Sequence, residues 1–137
     1  MHAIHSAIIT TILLTISLSA KEHKGEQIFI NKCAMCHTVN KASDKSKMVA
    51  PPIKNVMFHM REAFDNRKDI ENHIVDFTLN PTKEKAICKS VKRFGLMPSQ
   101  EGKITKDELR LVADWMINEV DNLSAQEHNM QQKKHKH

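Results

Sequence analysis

Cys33-Ala34-Met35-Cys36-His37 sets two thiols three positions apart and follows the second at once with an imidazole. On one helical turn two sulfurs at this spacing reach two neighbouring vinyl groups of a porphyrin, while the histidine is carried under the ring. The stretch therefore reads as the attachment sequence for c-type haem, held covalently through Cys33 and Cys36 with His37 on one axial face of the iron. Two other chemistries share part of the pattern. Half a zinc site would need a second ligand pair, and Cys88, the third cysteine, has no Cys or His at short spacing. A thiol redox pair would sit in a βαβ pattern rich in β-branched strands, which this chain does not display. No second C-x-x-C-H and no internal repeat occurs, so one haem per chain is expected.

A haem iron with one histidine wants a sixth ligand. Phe94-Gly95-Leu96-Met97-Pro98-Ser99 places a thioether in a loop where Gly95 allows tight backbone geometry and Pro98 stiffens the exit. Any one of the eight methionines is by default core filler. Met97 differs in lying between helical segments, immediately before a proline. Met57, Met60 and His59 stand in reserve as ligands.

With these features on the page the chain resembles the class I cytochrome c family of small monohaem electron carriers, over roughly Gly25 to Val120. In that family a C-x-x-C-H near the N-terminus supplies the proximal ligand and a Met-Pro loop nearer the C-terminus the distal one. The resemblance thus implies His37 and Met97 as the iron ligands. Gly25-Glu26-Gln27-Ile28-Phe29 looks like the family's N-terminal helix, whose glycine and aromatic pack on the C-terminal helix. Leu109 to Met116 has the matching apolar spacing, with Trp115 at the aromatic position. Ala50-Pro51-Pro52-Ile53 looks like the segment whose proline carbonyl accepts a hydrogen bond from the proximal histidine. By that match Pro51 orients His37, and such a bond raises ligand basicity as well as holding the ring.

Composition is compatible with one small domain. The 137 residues are 40% hydrophobic but only 4% aromatic, with no tyrosine, so the protein's own core is thin and a buried haem would supply apolar mass. The apoprotein is accordingly expected to fold poorly. Few glycines, little alternating pattern and many helix formers predict an all-α architecture, the cytochrome c fold, with about four to five helices around one haem c. Residues 1–20 stand apart: positions 7–20 carry no charge and read as the apolar core of a secretory signal peptide, with small residues Ser17, Ser19 and Ala20 permitting cleavage. Because the n-region has no Lys or Arg, an uncleaved anchor is the alternative, although a membrane span would need about 20 apolar residues and this stretch is shorter and diluted by Thr and Ser. Export suits haem c, which is attached outside the cytoplasm, and a bacterial periplasm is the expected location.

The expected division is a signal peptide at 1–20, a cytochrome c domain at 21–122 and a His/Lys-rich flexible tail at 123–137. Within the domain the sequence predicts a first helix over Lys21 to Ala34, a loop from Thr38 to Asn55, a helix from Arg61 to Leu79 stopped by Asn80-Pro81, and a basic helix from Thr82 to Phe94. The last helix opens on Thr105-Lys106-Asp107-Glu108, a capping box, and its apolar stripe runs Leu109, Val112, Trp115 or Met116, Val120. Cys88 is expected to be buried and inert, with intermolecular pairing as the alternative. The tail histidines His128, His135 and His137 form a solvated end, with transition-metal binding as the alternative.

Function follows from the ligand set more than from the fold. A His/Met pair leaves no open position for oxygen or peroxide, which implies a one-electron carrier between respiratory complexes and not an enzyme. A haem sensor, a peroxidase-like enzyme with a labile distal methionine, or a dedicated subunit of a periplasmic oxidoreductase are the alternatives. The net charge of +5 includes Lys32, Lys54, Lys83, Lys85, Lys89, Lys92 and Arg93 near the haem motif or the Met97 loop. Monomeric protein meeting redox partners through their acidic patches is therefore expected, with loose attraction to anionic membrane surfaces. An exported haem protein lacking a mixed aromatic and basic face has no nucleic acid partner.

Overall fold

The computed structural model describes residues 20–40 and 44–134, without the side chains of 45, 125 and 127–134. Among them lie five α-helices, one 3-10 turn over Lys45–Lys47 and no strand, as the all-α expectation requires. The helices are α1 (residues 20–32), α2 (Ile53–Ala63), α3 (Arg67–Leu79), α4 (Val91–Phe94) and α5 (Lys106–Lys134).

α5 is the element on which the others assemble, and its start is written locally. Thr105 Oγ1 accepts from the Glu108 backbone N–H at 3.2 Å, while Glu108 Oε2 accepts from the Thr105 backbone N–H at 2.9 Å. Both bonds of the expected capping box are therefore present. From there Leu109, Val112, Trp115, Met116 and Val120 all turn inward. Val112, Trp115, Met116 and Val120 meet Phe29 of α1, Ile53, Met57 and Met60 of α2, and Ile70 and Ile74 of α3 in one apolar cluster, while Leu109 packs with Val75 and Ile104 in a second. The α1 contact is close. Phe29 and Trp115 lie with ring centroids 4.8 Å apart, and Gly25 lets the helices approach until a Cβ there would lie 2.3 Å from the Leu111 carbonyl oxygen. The helical backbone continues through 123–134, which the sequence places in the tail; His135 and His137 lie outside the described residues.

Two predicted elements are corrected. The helix expected over Arg61 to Leu79 is two helices, and the loop expected to reach Asn55 ends at Pro52, where α2 begins. Pro52 serves as the N-cap of α2 and supplies the carbonyl that accepts from Asn55 and Val56 at 3.0 and 3.1 Å. A proline that looks like a turn is thus the start of a helix. The break follows at Phe64, in extended conformation, and Asn66 then caps α3 by accepting from the Asp69 N–H at 3.0 Å.

A third predicted element is corrected at Thr82 to Phe94, where the expected long basic helix shrinks to α4. Thr82 Oγ1 accepts from Lys85 N–H at 3.4 Å and starts one turn, which does not propagate. Helical winding here would stack Lys85 on Lys89 and Lys89 on Arg93, like charges four residues apart, which disfavours the helix.

Cations from two helices converge on Asp114 of α5. Lys21 of α1 reaches it at 3.0 Å, and Arg67 of α3 bonds both its carboxylate and its backbone oxygen. Partial burial works to raise the Asp114 pKa, but the hydrogen bonds from Arg67 and Lys21 outweigh it and hold the carboxyl below its ordinary value. A depressed carboxyl pKa stabilises the fold above the unfolded value, about 4, and loses that contribution as pH falls through the lower folded value. The expected outcome is that Asp114→Asn costs about 1 kcal/mol in denaturant titrations at pH 7, and that the gap to wild type closes below pH 4. A gap that stays constant down to pH 3 would contradict this account.

Candidate haem site

The candidate site grows from the end of α1. The Cys33 N–H bonds to Phe29 O at 2.8 Å as the helix closes, and the chain then curls so that Cys36 N–H and His37 N–H both reach Cys33 O, at 3.1 and 2.9 Å. One turn therefore carries both thiols and the imidazole. Cys33 is half-buried, Cys36 is exposed, and neither is in a disulfide. Burial pushes the Cys33 thiol up, against the pull of Lys32.

Tertiary contacts then bring Pro51 to His37. Just past the motif, Thr38 O accepts from Ile53 N–H at 2.8 Å and Val39 O from Lys54 N–H at 3.2 Å, which lays the entry of α2 beside the motif. Across this junction His37 Nδ1 lies 2.9 Å from Pro51 O. A carbonyl oxygen can only accept, so Nδ1 carries the proton and Nε2 of the neutral ring presents its lone pair. Burial pushes the His37 pKa down, with the Pro51 bond opposing, so the neutral ring dominates at pH 7.

Met97 is carried by a separate loop between α4 and α5 and is partly buried. Gly95 ends α4 with φ +77°, a left-handed conformation that a side chain would disfavour. Beyond Pro98 the loop is bound to the end of α3: Ser99 Oγ donates to Leu79 O, and Gln100 N–H donates to Thr78 O at 3.0 Å. The reserve ligands are placed differently. Met57 and Met60 are buried in the core, whereas His59 sits half-exposed beside Glu62 at 3.0 Å. A cavity of about 260 Å³ between α2 and residues 88–94 is lined by Pro51, Pro52, Val56, His59, Cys88 and Phe94 among others, and shares Pro51 with the His37 contact. Cys88, expected to be buried, is half-buried and lines this cavity; desolvation raises its thiol pKa.

This donor set fits haem c. It offers two unpaired thiols on one turn, a neutral imidazole with a fixed tautomer, and a thioether on an anchored loop. Among the described residues no group of three or more His, Cys, Asp or Glu is gathered about a common centre.

The helical fold, the motif turn and the His37–Pro51 bond define the class, a helical haem-attachment domain. A model of the family Cytochrome c matches residues 22–118, and the chain belongs to the cytochrome c family. Comparison with the curated proteins and with the solved structures gave no match. Membership brings with it a covalently bound haem c and haem-based electron transfer.

Proposed function

We propose that this chain is an exported one-electron carrier whose haem c is joined to Cys33 and Cys36 and ligated by His37 and Met97. The observation that carries the reading is the 2.9 Å contact between His37 Nδ1 and Pro51 O, made by the histidine of a turn that also holds two free thiols. When bound, haem c supplies reversible one-electron exchange. The protein's part is to hold the ligands still. Pro51 keeps the imidazole oriented and basic, while the Ser99 and Gln100 bonds hold the methionine loop, so that little reorganises between oxidation states. A soft thioether favours the reduced form and raises the potential.

Residues 1–19 lie outside the described part, and no helix among the described residues is long and apolar enough to cross a membrane. The uncharged run at 7–20 supports export and a periplasmic location. For the partner we favour a redox protein with an acidic patch. Exposed Lys83, Lys89 and Lys92 stand close in sequence to the Met97 loop, whereas Lys85 is paired with Asp76 at 2.8 Å and contributes less to such a field.

The spectrum of the purified holoprotein tests the ligand set. Oxidised wild type at neutral pH is expected to show the weak far-red band of sulfur-to-iron charge transfer, and the reduced form to bind carbon monoxide poorly. Met97→Ala should remove the band, admit carbon monoxide and lower the potential, within the roughly 0.8 V range that axial ligands command. Rapid carbon monoxide binding by reduced wild type would instead make this a haem sensor or a peroxidase-like enzyme.

A further inference from the structure

We propose that His73 is an acid-sensitive latch on residues 80–90, closed while its ring is neutral and opened when the ring takes a proton. The imidazole stands on α3 between two phenyl rings. Phe77, one turn further along the helix, stacks on it with centroids 5.7 Å apart and planes at 14°, and Phe64, from the break between α2 and α3, meets it tilted at 5.2 Å. Phe64 in turn packs on the central apolar cluster. A neutral ring suits this slot. An imidazolium must give up water to stay in it, which attraction to the phenyl faces offsets only in part.

The charges that act on the ring are Asp76 of its own helix and Lys85 of the segment beyond it. Asp69, one turn earlier on α3, is engaged by the Asn66 side chain at 2.8 Å. On the α2 side Glu62 is engaged by His59 at 3.0 Å, and Asp65, next to Phe64, is exposed. Asp76 and Lys85 hold each other at 2.8 Å. The Lys85 ammonium also donates to Asn80 O at 3.3 Å, and its backbone N–H donates to Thr82 Oγ1 at 3.4 Å. Lys85 is thus a point at which the segment is fastened to α3.

Burial, first, and then Lys85 lower the His73 pKa, with Asp76 opposing. Coupling between two groups is reciprocal, so whatever the Lys85 ammonium does against a protonated ring, the protonated ring does against the hold on Lys85. A proton on His73 leaves Asp76 shared between two cations. Lys85, released, joins exposed Lys83, Lys89 and Lys92, and the basic segment gains charge. With the folded pKa below the unfolded value of about 6.5, the neutral ring's contribution is complete above that pH and is lost as pH falls through the folded value.

The test follows the ring proton resonances of His73 and the amide exchange of residues 80–90 in holoprotein from about pH 8 to about pH 5, with exchange expressed as protection relative to the unstructured rate at each pH. The His73 midpoint is expected below the ordinary value; Lys85→Met should raise it and Asp76→Asn lower it. Protection of the Lys85 and Ala86 amides should fall about three-fold as wild type crosses the midpoint, the change that loss of a partly exposed ion pair commands. In His73→Phe, which keeps an aromatic ring in the slot and takes no proton, protection should stay level. Should His73→Phe fail to accumulate, the response of the His73 midpoint to Lys85→Met, a change at a partly exposed side chain, still decides. A midpoint that Lys85→Met leaves unmoved overturns the latch, and so does a loss of protection on acidification that His73→Phe retains in full.

Discussion

Substituting alanine for both Cys33 and Cys36 is expected to leave the chain without covalent haem, and His37→Ala to abolish a stable holoprotein even though both thiols remain. Single Cys33→Ala or Cys36→Ala variants retain one thioether and should accumulate at reduced yield. The measurement is the mass of the purified chain, which rises by one haem in wild type, together with solvent extraction from acid-denatured protein. Wild-type haem that extracts completely while both cysteines are intact would contradict covalent attachment. The effect on stability should be as large as the effect on loading. Few aromatics are available to the core, and small domains are stable by margins as low as about 5 kcal/mol. Loss of a bound group that stabilises only the folded state can consume such a margin, so the haem-free variants should show no cooperative denaturant transition.

Gly25→Ala is expected to be the most damaging single-methyl change outside the haem motif. Two effects oppose each other. Alanine is the better helix former by about 1 kcal/mol, and in a solvent-exposed helix it would stabilise. Here its Cβ would lie 2.3 Å from the Leu111 carbonyl oxygen and 2.9 Å from Trp115 Cβ. The first of these is backbone and cannot swing aside. Overpacking of this kind costs about 1 to 3 kcal/mol and occasionally more, so the clash wins, with a net loss of about 2 kcal/mol or more. Gly25→Leu should go further and separate α1 from α5, undoing the contact between Phe29 and Trp115. The midpoint of guanidinium unfolding by far-ultraviolet circular dichroism reads both variants. A Gly25→Ala holoprotein as stable as wild type would mean that the helices do not approach as closely as described.

These expectations differ in where their information resides. The attachment motif is legible in the chain because its chemistry is set by spacing within one turn: Cys33, Cys36 and His37 need no distant residue to be placed together. The same holds for the α5 capping box, where Thr105 and Glu108 are three residues apart, and for its apolar stripe, whose period matches a helix. Asn66 and Asp69, three residues apart, carry an equally local signal for the start of α3, which the helix expected from Arg61 overran.

Other features required the chain to close on itself. Residues 82–94 have helical apolar spacing at Ile87, Val91 and Phe94, yet only Val91–Phe94 wind, and the like charges at Lys85, Lys89 and Arg93 oppose a longer helix. The same nominal side chain, methionine, became core at Met57 and Met60 and a loop residue at Met97 according to what packed around it. Family resemblance pointed to Pro51, but the bond from its carbonyl to His37 forms only because residues 38–39 and 53–54 pair across the start of α2. Nothing in the local sequence marks Lys32 as the partner of Lys103 and Glu108, more than 70 residues away. Periodicity and spacing constrain neighbours along the chain, whereas the partner of a polar side chain is chosen by which distant elements the burial of apolar faces brings alongside it.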